Sequence, residues 1–357
     1  MKIVVGGYYG CGNVGDDALL VGFLRGLEGL NVYPVVLSGD PAETHRTIGV
    51  PSIPRRDFSA LRKELETSEA LVLAGGGLFQ DVTSVFSVHY YAQLVHFARK
   101  MRKRVILLAQ GIGPLRSFWG RRISAGAFRA AHVIAVRDPQ SLAILRDLGI
   151  NKPVQVTADL AWLVEPDAGE GAFTLGEMRT IGISARPSRG SRNLAGLFGD
   201  FAQILYQNQY VPVLVEMDRN EDTQILDAIA KIHGGRCPDI RNVATPSQMA
   251  GRIARMDGMV AMRMHAGLFS ALSGKAPLMI AYDPKISAFS ASLGLPSPLS
   301  LDGLTPQKLW EAFRRFESER KKWDREIQPR VAHLRELARK NVSIMKEAIP
   351  ALAEGLV

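Results

Sequence analysis

The chain has 357 residues, 46% of them hydrophobic and 22% charged, which is long enough for two domains with proper cores and ordinary for a globular protein. Its formal net charge of +9 points to acidic partners: phosphorylated small molecules, nucleic acid or an anionic membrane face. Two cysteines, Cys11 and Cys237, exclude a disulfide framework and a cysteine metal cluster, and fit a reducing cytoplasm. No apolar run reaches the roughly 20 residues of a membrane span. Lys2 leads straight into the first strand, so no signal peptide is expected.

Short apolar runs alternate with helical patterns from the N-terminus on, the mark of βα units and a mainly parallel sheet. Strands are predicted over Ile3–Gly6, Pro34–Leu37, Ala70–Ala74, Val105–Ala109, Val133–Val136 and Val154–Thr157. The periodicity lapses over Leu163–Glu177, as in a linker. A second set of strands follows over Thr180–Ser184, Val211–Val215, Gly258–Ala261 and Pro277–Ala281. The reading is an α/β protein of two Rossmann-like domains, residues 1–165 and 176–305, facing each other across a cleft. A basic helical tail, 306–357, is expected to pack back on the first domain. Basic clusters at Arg99–Arg104, Arg314–Arg325 and Arg335–Lys340 read as solvated helix faces.

Gly10-Cys11-Gly12-Asn13-Val14-Gly15 follows the first strand and opens a helix, a literal GxGxxG. Asp16 and Asp17 argue against a dinucleotide there, because two carboxylates already occupy the positive helix end that a pyrophosphate needs. The segment reads either as a tight turn with Asp16 as its cap or as a loop for the hydroxyls of a sugar acceptor. Gly75-Gly76-Gly77, leading to Gln80 and Asp81, and Gln110-Gly111-Ile112-Gly113 give two further glycine turns along the same rim, suited to an extended ligand.

Strand ends elsewhere carry cations. Arg137 either pairs locally with Asp138 or Asp147 or reaches out as an anion clamp, and Arg186, fixed by Pro187, is either a surface residue or part of a site. Arg263 and His265 end one strand and Tyr282, Asp283 and Lys285 end its neighbour, a set suited to a small, multiply charged anion with a proton donor beside it. Glu216, Asp218 and Asp222 either bind sugar hydroxyls or cap the helix from Thr223. The other six histidines stand alone, without metal-ligand spacing.

Collected, these residues resemble the polysaccharide pyruvyl transferase family, most closely the bacterial enzymes that place a pyruvate ketal on the lipid-linked sugar used to anchor surface-layer proteins. The resemblance runs from Met1 to about Leu295 and rests on GYYGCGNVGDDALL, SGDPAET, AGGGLFQD, AQGIGP, VRDPQS, ISARP, RMHAGLFSALSGKAP and AYDPKI. Cys11 stands where an aromatic residue is expected in that family. The resemblance implies a fold similar to the glycosyltransferase-B architecture, phosphoenolpyruvate as donor, and neither cofactor nor metal. Its implied acceptor is an N-acetylmannosamine-containing disaccharide on undecaprenyl diphosphate, met by a cytoplasmic protein at the inner membrane face, without nucleic acid.

On this reading His265 is the general acid and Arg137 is catalytic with it. Arg137, Arg186, Arg263 and Lys285 hold the donor, while Gly12, Asn13, Asp16, Asp17, Gly76, Gly77 and Gln80 meet the acceptor. Three rivals remain: a nucleotide-sugar glycosyltransferase of the same shape, an NAD-dependent oxidoreductase using Gly10, Gly12, Gly15 and Asp40, and a non-catalytic sugar-phosphate or membrane-surface binder.

Overall fold

A computed structural model describes residues 1–81, 85–167, 178–188, 193–235 and 237–349. Most of the predicted linker, residues 168–177, and the end of the predicted tail, 350–357, lie outside the described residues. The chain divides into two compact units. One comprises Met1–Cys11, Asp16–Leu163 and the residues from Leu334 on; the other comprises Gly12–Gly15 and Val164–His333.

The elements of the first unit run β1 (Lys2–Tyr9), α1 (Val14–Gly26), β2 (Tyr33–Ser38), α2 (Pro41–Ile48), β3 (Ser52–Pro54), α3 (Phe58–Glu66) and β4 (Ala70–Phe79). They continue through α4 (Val85–Lys100), β5 (Arg104–Ile112), α5 (Phe118–Ala130), β6 (Val133–Val136), α6 (Pro139–Asp147) and β7 (Gln155–Val156). The strands form one parallel sheet in the order β3-β2-β1-β4-β5-β6-β7. Its central strands are buried almost end to end, as helices on both faces of a parallel sheet require. β3 escaped the sequence reading because three residues at an edge give no period.

Two of the expected glycine turns are not turns. Gly75, Gly76 and Gly77 lie within β4, with φ of +82° and +93° at the first two and a register slip against β5 between Gly76 and Phe79. Gly111 lies within β5. The positive φ values are why glycines are needed: the strand is bent there without ending. A second correction concerns Asp16. Helix α1 begins at Val14, so Asp16 sits inside its first turn, and Asn13 Oδ1 accepts from the Gly15 amide at 2.9 Å instead.

The second unit runs β8 (Arg179–Ser184), α7 (Leu194–Gln207), β9 (Tyr210–Val215), α8 (Thr223–Ile232), β10 (Asp239–Ile240), α9 (Pro246–Ala254), β11 (Gly258–Ala261), α10 (Met264–Leu272), β12 (Leu278–Ala281), α11 (Pro284–Ser292) and β13 (Leu299–Ser300). Its parallel sheet has the order β10-β9-β8-β11-β12-β13. In each unit the strand order reverses once at the centre, between β1 and β4 and between β8 and β11, which is where such sheets bind ligands at their carboxyl ends.

The tail forms α12 (Pro306–Ser318) and α13 (Arg320–Ala348). Early in α13, Arg320 lies over Gly258 and Asp324 accepts from the Ala276 amide at 2.8 Å, both within the second unit. Late in α13, the fully buried Asn341 accepts from Thr157 Oγ1 at 2.9 Å and donates to Ala158 O at 3.2 Å, within the first.

Candidate active site

The second unit assembles its polar edge from four adjacent strands, β9, β8, β11 and β12. β11 ends at Ala261, Arg263 follows in extended conformation, and α10 starts at once, which puts His265 in its first turn. Gly267 lets α10 lie close on β12, since a Cβ there would stand 2.5 Å from Met279 Sδ. β12 ends at Ala281. Asp283 then caps α11 by accepting from the Lys285 amide at 3.0 Å, with Pro284 beginning the helix, so Lys285 is in a first turn too.

Arg263 is the hub. Its Nε donates to both oxygens of the fully buried Asp222 at 3.1 Å, and Nη2 reaches Asp222 Oδ1 at 2.5 Å and Glu221 Oε2 at 2.9 Å. Asp218 Oδ2 lies 3.7 Å from Nη2. Burial alone would weaken the guanidinium as a cation, but Asp222, Asp218 and Glu221 hold it above its ordinary pKa. Asp222 also accepts from the amides of Met217 and Asp218, at 3.2 and 3.0 Å, and makes no cap bond to α8. Neither sequence reading of this acidic turn holds for Asp222: it is the counter-ion of Arg263.

Arg186 completes the group. Its Nη2 donates to the same Glu221 oxygen at 2.9 Å and its Nη1 to the Tyr282 hydroxyl at 3.0 Å, with the guanidinium 4.5 Å from the ring centroid. Lys285 Nζ lies 5.4 Å from the same centroid. Burial would raise the Tyr282 phenol, yet Lys285, Arg186 and Arg263 together bring its pKa below the usual value. Tyr282 is thus a site residue for which the sequence supplied one signal, its place between a strand end and the helix cap. Glu221 supplied none.

The glycine motif joins this edge. Arg219 N donates to Gly12 O at 3.0 Å, Val14 N to Met217 O at 2.8 Å, and Asn13 Nδ2 to Asp218 Oδ2 at 3.0 Å. Gly12, with φ of +80°, faces the Arg219 and Asn220 side chains. The decisive position is Gly15. A Cβ there would stand 2.1 Å from Nδ1 and 2.7 Å from Cγ of His265, so the third glycine exists to let the imidazole lie against the helix start. That accounts for the motif without a dinucleotide.

The first unit carries its own polar groups at the carboxyl edge. Arg137, at the end of β6, donates through Nη1 to Asp159 Oδ2 at 2.8 Å and lies 3.6 Å from Asp138. A Cβ on Gly111 would stand 2.6 Å from Arg137 Nε. Burial opposes the Arg137 charge, and Asp159 and Asp138 more than restore it. Asp17 Oδ1 accepts from the Gly10 amide at 2.8 Å, and Asp16 is half-buried. Gly76 is buried against Leu78 and Leu19, Gly77 is exposed with no atom near its missing Cβ, and Gln80 is half-buried.

Three segments also meet where no local pattern announced it. Arg55 lies 5.0, 4.8 and 5.8 Å from the ring centroids of Tyr8, Tyr90 and Tyr91, and donates to Cys11 Sγ at 3.1 Å and Tyr91 Oη at 3.0 Å. Burial keeps the Cys11 thiol above its ordinary pKa despite Arg55.

The model of the polysaccharide pyruvyl transferase family matches residues 13–284. The chain belongs to that family. The matched span takes in the turn from Asn13, Arg137, and the whole Arg186, Arg263, His265, Tyr282 set. It makes the chain a transferase and leaves the oxidoreductase reading without support. Asp40, the acid that reading needs, caps α2 by accepting from the Glu43 amide at 2.9 Å.

Among curated proteins no sequence matches. Among solved structures the chain is similar to the S. aureus MnaA–UDP co-structure, at 11% identity and a TM-score of 0.67, covering 100% of this chain and 97% of that one. It is also similar to the Methanocaldococcus jannaschii UDP-GlcNAc 2-epimerase in complex with UDP-GlcNAc and UDP, at 11% identity and a TM-score of 0.64, covering 97% and 99%. Anabaena Alr3699/HepE in complex with UDP-glucose follows at 11% and 0.60, covering 100% and 99%. At such identities the likeness shows the fold alone, two Rossmann-like units of the glycosyltransferase-B kind. Among the described residues no helix is long and apolar enough to cross a membrane, and no cluster of His, Cys, Asp and Glu could hold a metal ion.

Proposed function

We propose that this pyruvyl transferase family member takes phosphoenolpyruvate as donor and forms a cyclic pyruvate ketal on two hydroxyls of a sugar in a lipid-linked cell-wall glycan precursor. The observation that carries the reading is the convergence of Arg186, Arg263, His265, Tyr282 and Lys285 on one sheet edge. Phosphoenolpyruvate bears a carboxylate and a phosphate on a three-carbon frame, and holding both requires cations at fixed separation.

Glu221 Oε2, shared by two guanidiniums at 2.9 Å each, occupies the kind of position a donor oxygen would take. Glu221 is half in solvent, with 44% of its side chain exposed, so an incoming anion can displace it where it could not displace Asp222. Arg263, locked to Asp222, then serves as a fixed positive anchor, with Arg186 and Lys285 as the adjustable partners. Tyr282 gives both a common face.

His265 protonates C3 of the donor, C2 gains oxocarbenium character, and the first sugar hydroxyl adds there while returning its proton to His265. Phosphate leaves with the C–O bonding pair, and the second hydroxyl closes the ring, its proton passing to phosphate. An imidazole carries one ring nitrogen that can give a proton and take one back, which suits it to that exchange. Within the first unit this reading keeps Arg137, held by Asp159, as an anion-binding cation and Asp16, Asp17, Gly76, Gly77 and Gln80 as acceptor residues, and within the second it keeps Gly12 and Asn13 for the acceptor.

The test is incubation with phosphoenolpyruvate and a panel of lipid-diphosphate sugars. Phosphate release matched by a pyruvyl mass gain on one acceptor is expected. Consumption of a nucleotide sugar with phosphoenolpyruvate untouched would overturn the reading.

A further inference from the structure

We infer that the exposed faces of α4 and α5 dock the first unit onto the surface of an anionic lipid bilayer. Between Asp81 and Asp138 the sequence has no aspartate or glutamate, yet it has ten lysines and arginines. The rest of the chain holds 34 basic against 35 acidic residues, so the positive charge of the whole protein resides in this one segment. Such a concentration is not what solvated helix faces give, where both signs alternate.

The tail shows the contrast. There Arg320 pairs with Glu317 at 2.6 Å and Lys322 with Glu319 at 3.0 Å, each three residues apart.

The fold lays the two helices of this segment out as a plane, while Arg104 and Arg137 belong to strand β5 and the end of β6. α4 and α5 follow the adjacent strands β4 and β5 and pack side by side. On α4 the exposed residues Phe86, His89, Gln93, His96 and Arg99 recur every three or four positions, and on α5 so do Trp119, Arg122 and Arg129 with Gly126 between them. Each helix thus turns one unbroken stripe outward. A shallow groove of about 290 Å³ runs between the stripes, bordered by His96, Trp119, Arg122 and Ile123 among others.

One end of this plane is aromatic. Phe86, Phe118 and Trp119 are 85%, 69% and 63% exposed, which no need of the core explains. Large rings beside guanidiniums are the chemistry of the headgroup layer: the rings enter the acyl boundary while the cations stay with the phosphates. A nucleic acid would want a flat shelf for successive bases, whereas Phe118 and Trp119 cross at 76°. Asp81 stands at the aromatic end, held by the amides of Arg116 and Ser117 at 2.8 and 2.7 Å, and two further acids border the plane from neighbouring elements. Asp147 takes Arg121 at 2.7 Å, and Glu66 lines a separate groove with Lys100 and Lys103. Neither reaches the Arg116, Trp119, Arg122 end in any ion pair among the described residues.

The inference stands on this face alone and not on pyruvyl transfer, so its test contains neither donor nor acceptor. The whole protein is sedimented with vesicles of phosphatidylcholine and of phosphatidylcholine mixed with phosphatidylglycerol, and tryptophan emission is followed. Binding to the anionic vesicles at least tenfold tighter than to the neutral ones, with a blue shift, is expected. Each basic side chain at an anionic surface is worth about fivefold, so Arg99→Gln with Arg122→Gln should weaken binding about tenfold or more. Phe86→Ser with Phe118→Ser should reduce the blue shift, and Arg314→Gln with Arg315→Gln in the tail should bind like the unaltered protein. All of these positions are exposed, and thermal melting checks that each variant is folded.

Equal binding to both vesicle types, face variants that bind normally, or a tail variant as impaired as they are would each overturn the inference. So would displacement of the protein from vesicles by a single-stranded oligonucleotide that binds more tightly.

Discussion

Gly15→Ala should disable the enzyme by moving His265 while leaving the fold in place. The added Cβ would stand 2.1 Å from Nδ1, 2.7 Å from Cγ and 3.1 Å from Cβ of the imidazole, where unstrained heavy atoms keep about 3.5 Å. The overlap exceeds an ångström, and a ring cannot yield as the end of a lysine can. Gly15 lies in α1 with no positive φ, so the backbone accepts alanine and helix propensity favours it by roughly 1 kcal/mol.

Overpacking costs about 1–3 kcal/mol, which leaves a net loss of at most about 2 kcal/mol and a melting temperature a few degrees lower. Turnover should fall much further, since a positioned general acid supplies about 10²- to 10⁴-fold. Initial rates of phosphate release at saturating donor measure this. In the double variant with His265→Ala the glycine change should cost little more, because both act on one group. A Gly15→Ala enzyme within threefold of the unaltered one, or losses that multiply in the double variant, would refute the reasoning.

Asp222→Asn leaves the buried Arg263 short of its main counter-ion; about 3–5 kcal/mol of stability should be lost, roughly 10 °C in the melting temperature, and a shift under 2 °C would remove the pair from the framework. Glu221→Gln should lower the donor Michaelis constant threefold to tenfold by withdrawing a competing carboxylate from Arg186 and Arg263, and an unchanged or higher constant would show that Glu221 does not stand in for a donor oxygen. In alkaline titration followed by phenolate absorbance, one of the eight tyrosines should ionise early, and Tyr282→Phe should abolish that step.

The sign for Tyr282 follows from its lowered pKa. Its anionic form is favoured by folding, so the stabilisation is complete above the ordinary phenol value near about pH 10 and is lost as pH falls through the lower folded value. Stability curves of the unaltered protein and Tyr282→Phe should therefore diverge on the alkaline side of neutrality, with the variant the less stable.

Sequence alone determined the two sets of βα units, because a strand buried on both faces must be a continuous apolar run and the helix after it must be amphipathic. It also singled out Arg186, Arg263, His265 and Lys285, since each follows such a run directly and the carboxyl ends of parallel strands share one edge. Only the tertiary structure decided what those residues do to each other. That Asp222 belongs to Arg263, 41 positions away, that Glu221 is shared by Arg186 and Arg263, and that Gly15 makes room for His265 are facts of approach between distant segments.

The glycine runs show the same division. Composition announces that the backbone is unusual at Gly75 and Gly76, but whether it turns or continues depends on the neighbouring strand, which here holds β4 extended to Phe79. The basic plane on α4 and α5 was present in the sequence as an absence of acids, yet its meaning waited on the packing that sets the two helices side by side with their rings outward.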